Sequence, residues 1–226
     1  MARLILFDID LTLIKTNGAG RDAMDAAFRE LFGVHEPTKG IAFEGRTDRA
    51  IFLEALTRQE LTGPALEAAY GRALDGYVER LPGTLVDRGG EILPGVPALL
   101  DGLGGRAAIG LATGNIERGA RLKLGHFGLW ERFAAGGFGD GRSERADVVR
   151  AAIAALAAAA SLPADPLDCI VIGDTPNDVA AAHAAGARAL AVATGAHSLE
   201  QLRAVGPAWA VADLGDTAAI LEILGR

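Results

Sequence analysis

One cysteine stands in the 226-residue chain, so no disulfide can form within it. Cys169 falls in the apolar run Cys169-Ile170-Val171-Ile172, where a buried strand position accounts for it. Lysine is nearly absent as well: Lys15, Lys39 and Lys123 are the whole complement. There is no Lys/Arg-rich run, and the formal net charge is -7, which excludes the basic footprint of a nucleic-acid binder. An anionic ligand is not excluded, but local donors must meet it rather than a basic surface. No apolar stretch reaches the ~18 residues that a bilayer span needs. The alanine-rich run near 151–160 is bounded by polar residues on both sides. The opening Met1-Ala2-Arg3-Leu4-Ile5-Leu6-Phe7-Asp8 turns acidic too soon for a signal peptide. A soluble, cytoplasmic protein is expected, with monomer and homodimer both open. His35, His126, His183 and His197 show no metal-ligand spacing, which argues against a zinc centre.

Half of the residues are hydrophobic and 23% are charged, the balance of a chain that folds around a core. Apolar runs of strand length alternate with helical patterns, which predicts an α/β fold with a Rossmann-like parallel sheet sandwiched by helices. Strands are expected at Arg3 to Asp8, Ala107 to Thr113, Cys169 to Gly173, Ala189 to Ala193 and Trp209 to Val211, with a short one near Phe133 to Phe138. Their hydrophobicity is continuous rather than alternating, so both faces are buried. The long stretch between the first two strands holds helical patterns near 19–32, 48–60 and 65–80 and no evident strand. It reads as an inserted small α-helical domain over 16–83, with the catalytic core formed by 1–15 and 84–226. The joints are expected near Lys15-Thr16-Asn17-Gly18 and Pro82-Gly83-Thr84.

The chemistry gathers at strand ends, where open α/β sheets bind ligands. Asp8-Ile9-Asp10 places two carboxylates beside a buried strand, a costly arrangement unless a cation or hydrogen bonds compensate. A second acidic pair, Asp174 and Asp178, follows another buried strand. Hard oxygen donors converging on one crevice suit Mg²⁺. Thr113, with the amides of Gly114 and Asn115 at a helix start, is suited to hold phosphate oxygens.

The ordered set Asp8-Ile9-Asp10-Leu11-Thr12-Leu13, Thr113, Lys123 and Gly173-Asp174 with Asp178 resembles the haloacid dehalogenase superfamily. The resemblance covers the whole chain and is closest to phosphoglycolate-phosphatase-like members with a small helical cap. It implies an enzyme that hydrolyses a small anionic phosphorylated metabolite with Mg²⁺. Asp8 is implied as the nucleophile that forms an aspartyl-phosphate, and Asp10 as the general acid and base. Thr113 is implied to orient the phosphoryl group and Lys123 to neutralise its charge and that of Asp8. Asp8, Asp10, Asp174 and Asp178 are the implied metal residues, Asp10 through its main-chain carbonyl. Two departures stand out. Leu11 occupies a place where the family usually has glycine, and must either take up an ordinary conformation or sit in an altered turn. Ser143-Glu144-Arg145-Ala146-Asp147 lacks the lysine that many relatives carry there, leaving Lys123 as the substitute and Arg145 in reserve. Within the cap, Gly45, Arg46 and Arg49 are the expected substrate contacts. A phosphomutase of the same superfamily is the nearest rival, and a non-catalytic phospho-ligand-binding protein is a more distant one.

Overall fold

The computed structural model describes residues 4–225; Arg3, expected to begin the first strand, lies outside them, as do Met1, Ala2 and Arg226. The chain opens with strand β1 (Leu4–Phe7), whose side chains divide between two cores. Ile5 and Phe7 join one buried cluster while Leu4 and Leu6 join another, the period-two alternation of a strand covered on both faces. After strand β2 (Ile14–Lys15) come three helices, α1 (Ala19–Phe32), α2 (Asp48–Thr57) and α3 (Gly63–Arg88). They bury a separate core around Met24, Phe28, Phe52, Tyr77 and Leu81. The chain then returns through strand β3 (Glu91–Ile92) to helix α4 (Val96–Leu103).

From there strands and helices alternate: β4 (Ala108–Ala112), α5 (Glu117–His126), β5 (Ala135–Gly137), α6 (Arg145–Ala160), β6 (Cys169–Gly173), α7 (Pro176–Ala184), β7 (Arg188–Val192), α8 (Leu199–Ala204), β8 (Trp209–Val211) and α9 (Thr217–Leu224). Six strands form one parallel sheet in the order β5-β4-β1-β6-β7-β8. Strand β1 lies at its middle, with Phe7 beside both Leu111 and Ile172. One face is covered by α4, α5 and α9, the other by α6, α7 and α8. Each expected strand is present within a residue or two of its expected limits.

Two features of the inserted lobe differ from expectation. Helix α3 runs through the expected joint at 82–84, with Pro82 inside it. Leu81 and Leu85, on either side of that joint, are both buried in the lobe. Burying each is worth about 1.5–3 kcal/mol, which together offsets the ~3 kcal/mol of an interior proline. The second difference is the antiparallel pair β2–β3, which ties Ile14 to Ile92 and Lys15 to Glu91 at the lobe's base. Strands of two residues are too short to leave a period in the sequence.

Candidate active site

Three neighbouring strands end at one crevice. Asp8 follows β1, and its amide makes the next rung, donating to the Ile172 carbonyl at 2.9 Å. Thr113 follows β4, and Asp174 follows β6. Asp178 sits in the first turn of α7, where a capping box with Thr175 locks it: Thr175 Oγ1 donates to Asp178 Oδ2 at 2.7 Å. Carboxylate oxygens of Asp8, Asp174 and Asp178 lie within 4.8 Å of one another, all three residues buried. Arg145, from the start of α6, reaches into this group. Its Nη2 lies 2.8 Å from Asp8 Oδ1 and 2.7 Å from Asp178 Oδ1.

One guanidinium does not neutralise three carboxylates. Burial pushes the Asp174 carboxyl up to about 8, with repulsion from Asp178 and Asp8 adding to it. Burial likewise raises Asp8 to about 6, against the pull of Arg145 and with Asp178 and Asp10 pushing further. Surplus negative charge on an oxygen-only donor set is the chemistry of a hard divalent cation site. The walls are close: a Cβ on Gly195 would overlap Asp174 Oδ2.

Asp10 belongs to a second cluster. Lys123 Nζ, on α5, lies 2.9 and 2.7 Å from its two carboxylate oxygens and 2.7 Å from Asn115 Oδ1. Asn115 Nδ2 in turn donates to Asp10 Oδ2 and to Thr113 Oγ1, each at 2.8 Å. Burial works to raise the Asp10 carboxyl, but the charge and hydrogen bond of Lys123, with the Asn115 amide, hold it below its ordinary value. The Asp10 side chain is still 39% exposed, into the cavity that it lines. Lys123 is buried and, although burial lowers it, Asp10 and Asp48 carry it above its ordinary value.

Leu11 adopts neither of the two forms expected of it, for it takes the glycine-like left-handed conformation itself, at φ 59°. The turn is held by its amide, which donates to the Ile14 carbonyl at 2.8 Å, and by its carbonyl, which accepts from Thr194 Oγ1. Its side chain is half-buried and lines the cavity.

A cavity of about 340 Å³ lies between the strand ends and the helical lobe. It gathers Asp8, Asp10, Thr113, Gly114, Asn115, Lys123 and Asp174 along with Gly45 and Arg46. Arg46 points its charge elsewhere, with Nη1 2.7 Å from Glu54 Oε2. Arg49 is not among the lining residues, because α3 captures it: Nη2 lies 3.2 Å from Glu67, and the guanidinium sits 4.8 Å above the Tyr70 ring. The structure adds detail to three further expectations. Lys123 pairs with Asp10, and it is Arg145 that pairs with Asp8, so both basic candidates are in place with divided roles. The Asp10 carboxylate lies outside the cluster of three acids and is tied to Lys123, which is compatible with the main-chain carbonyl being the expected metal contact. The Asn115 amide is spent on Thr113 Oγ1 at 3.3 Å, so Asn115 acts through its side chain. Asp48 and Arg21 also line the cavity, and sequence reasoning gave neither a role. Nothing local marks them, since an acid in a first helical turn and an arginine on a surface helix are ordinary.

A family model described as haloacid dehalogenase-like hydrolase matches residues 5–183, and a second model of related hydrolases matches residues 150–217. The probable phosphatase IndB of Dickeya dadantii is 29% identical over 220 residues, covering 92% of this chain and 88% of that protein. Among solved structures, a predicted phosphatase from Clostridium acetobutylicum superposes with a TM-score of 0.71 at 21% identity, covering 98% and 99% of the two chains. A predicted phosphoglycolate phosphatase from Haemophilus somnus does so with a TM-score of 0.70 at 19% identity, covering 97% of each.

Proposed function

Because this chain belongs to the haloacid dehalogenase-like hydrolases, we propose that it is a Mg²⁺-dependent phosphomonoesterase working through an aspartyl-phosphate on Asp8. The observation that carries this reading is the pairing of the two acids with separate cations at one cavity, Asp8 with Arg145 and Asp10 with Lys123. The carboxylates have different surroundings and are therefore suited to different tasks. Asp8 attacks phosphorus in line as the ester P–O bond breaks. Asp10 gives a proton to the departing oxygen from the small protonated fraction that Lys123 leaves it; its carboxylate then takes a proton from the water that attacks the aspartyl-phosphate, releasing phosphate and restoring Asp8. Thr113 and the backbone amide of Gly114 orient the phosphoryl oxygens, and Arg145 offsets their charge. Asp8, Asp174 and Asp178 would hold the Mg²⁺, which supplies positive charge that relieves repulsion between acidic site and anionic substrate.

The substrate class is a small phosphorylated metabolite, and phosphoglycolate, the compound in the name of the Haemophilus somnus neighbour, is the first to try. The expected location is the cytoplasm; among the described residues no helix is long and apolar enough to cross a membrane. The test is phosphate release from an aryl phosphate and from phosphoglycolate, for wild type and Asp8→Asn, each with Mg²⁺ and with EDTA. Activity is expected only for wild type with Mg²⁺. Turnover that survives Asp8→Asn would remove the covalent intermediate, and turnover in EDTA would remove the metal.

A further inference from the structure

The helical lobe hydrogen-bonds to the Gly114-Asn115-Ile116 turn through Asp48. Asp48, the first residue of α2, donates its backbone amide to the Gly114 carbonyl at 2.7 Å. Its Oδ2 accepts from the Ile116 amide at 2.9 Å. The two bonds run in opposite chemical senses and bracket Asn115 from either side. That residue is the hub of the site, holding Asp10, Lys123 and Thr113 through one side chain. Ile116 is the N-cap of α5 and offers no side-chain cap of its own, so the orphan amide at the head of the lysine-bearing helix is answered from the lobe. The surrounding atoms leave no gap: a Cβ on Gly114 would overlap the Arg46 carbonyl, and one on Gly45 would crowd the side chains of Thr175 and Asn177. Asn177 Nδ2 adds a bond to the Glu44 carbonyl at 3.3 Å.

We propose that Asp48 is a positioning residue that braces the Gly114-Asn115-Ile116 turn, so that Asn115, Lys123 and Asp10 are aligned only while the lobe lies on the core. This rests on the phosphatase reading for its catalytic consequence and on hydrogen bonds alone for its structural one. A substrate that enters the cavity and draws the lobe down completes the site that acts on it.

The experiment compares the full chain with Asp48→Ala and Asp48→Asn by hydrogen–deuterium exchange and by steady-state phosphate release from an aryl phosphate with Mg²⁺. Asp48→Ala is expected to speed exchange at the Ile116 amide about tenfold, the value of one hydrogen bond. It is also expected to lower kcat by ~10–100-fold, the scale of a small misplacement, with little change in KM. Asp48→Asn is expected to recover both, since its Oδ1 accepts from the same amide. Unchanged exchange in Asp48→Ala overturns the proposal. So does an Asp48→Asn that protects Ile116 yet is as slow as Asp48→Ala, because the charge itself would then be acting. If Asp48→Ala fails to fold, Gly45→Ala blocks docking from the lobe side and must expose Ile116 in the same way. A wild type that hydrolyses no phosphomonoester sinks the phosphatase reading, while the exchange contrast still decides whether Asp48 holds the turn.

Discussion

At the scale of the residue, Leu11 carries the clearest tension between sequence and structure. Its left-handed conformation costs a residue with a Cβ about 1–2 kcal/mol, and the half-buried side chain recovers little of that as core packing. Replacement by glycine removes the strain but adds freedom to the unfolded chain, whereas replacement by alanine keeps the strain and loses the isobutyl group. Leu11→Gly is therefore expected to be more stable than Leu11→Ala by ~1 kcal/mol in urea titrations. The opposite order would mean that the turn relaxes to negative φ once the leucine is gone. The acids Asp8, Asp10, Asp174 and Asp178 were legible in the sequence because paired carboxylates beside buried strands are rare without a reason. The division of labour between Lys123 and Arg145 was not, since it depends on which way each side chain leaves its helix. Arg49 misled for a similar reason: the aromatic face and the acid that hold it come from α3, far along the chain.

At the scale of the element, β1, β4 and β6 were readable because each is a compact apolar run ended by an acid, a glycine or a hydroxyl residue. The lobe's limits were harder to read. Pro82-Gly83 has the composition of a helix end, yet tertiary burial of Leu81 and Leu85 carries α3 on to Arg88. Pro82 is exposed and cannot supply the amide that would bond the Val78 carbonyl, so its ring contributes nothing to the lobe's core. Pro82→Ala is expected to stabilise the protein by ~1 kcal/mol, the helical gain being partly offset by the lost rigidity of the unfolded chain. Chemical denaturation measures this directly, and a destabilised variant would mean that the proline itself is needed for the lobe to meet the core.

At the scale of the whole molecule, the buried acids tie stability to pH and, on the proposed reading, to a cation. Asp8 and Asp174 titrate at about 6 and about 8 in the folded protein, above the ordinary carboxylate value near 3.8. Between those limits the folded state binds protons that the unfolded chain has released, so stability falls as pH rises. Asp10, held low, titrates below this window, and Lys123 above it. In EDTA, Tm is therefore expected to decline from pH 5 to pH 8, and saturating Mg²⁺ is expected to flatten that decline by favouring the ionised acids. A Tm in EDTA that climbs over this range, or no response to Mg²⁺, would contradict the assigned site. The β2–β3 ladder has a separate consequence, for descent rather than stability. Lys15 and Glu91 face each other across it, so the chain enters and leaves the helical lobe side by side, through a two-stranded ribbon separate from the six-stranded sheet. A lobe attached in this way can be lengthened without shifting the register of β1 against β4 and β6, provided that Asp48 still reaches Gly114 and Ile116. Change within the lobe is therefore tolerated by the sheet and limited by the turn that Asp48 contacts.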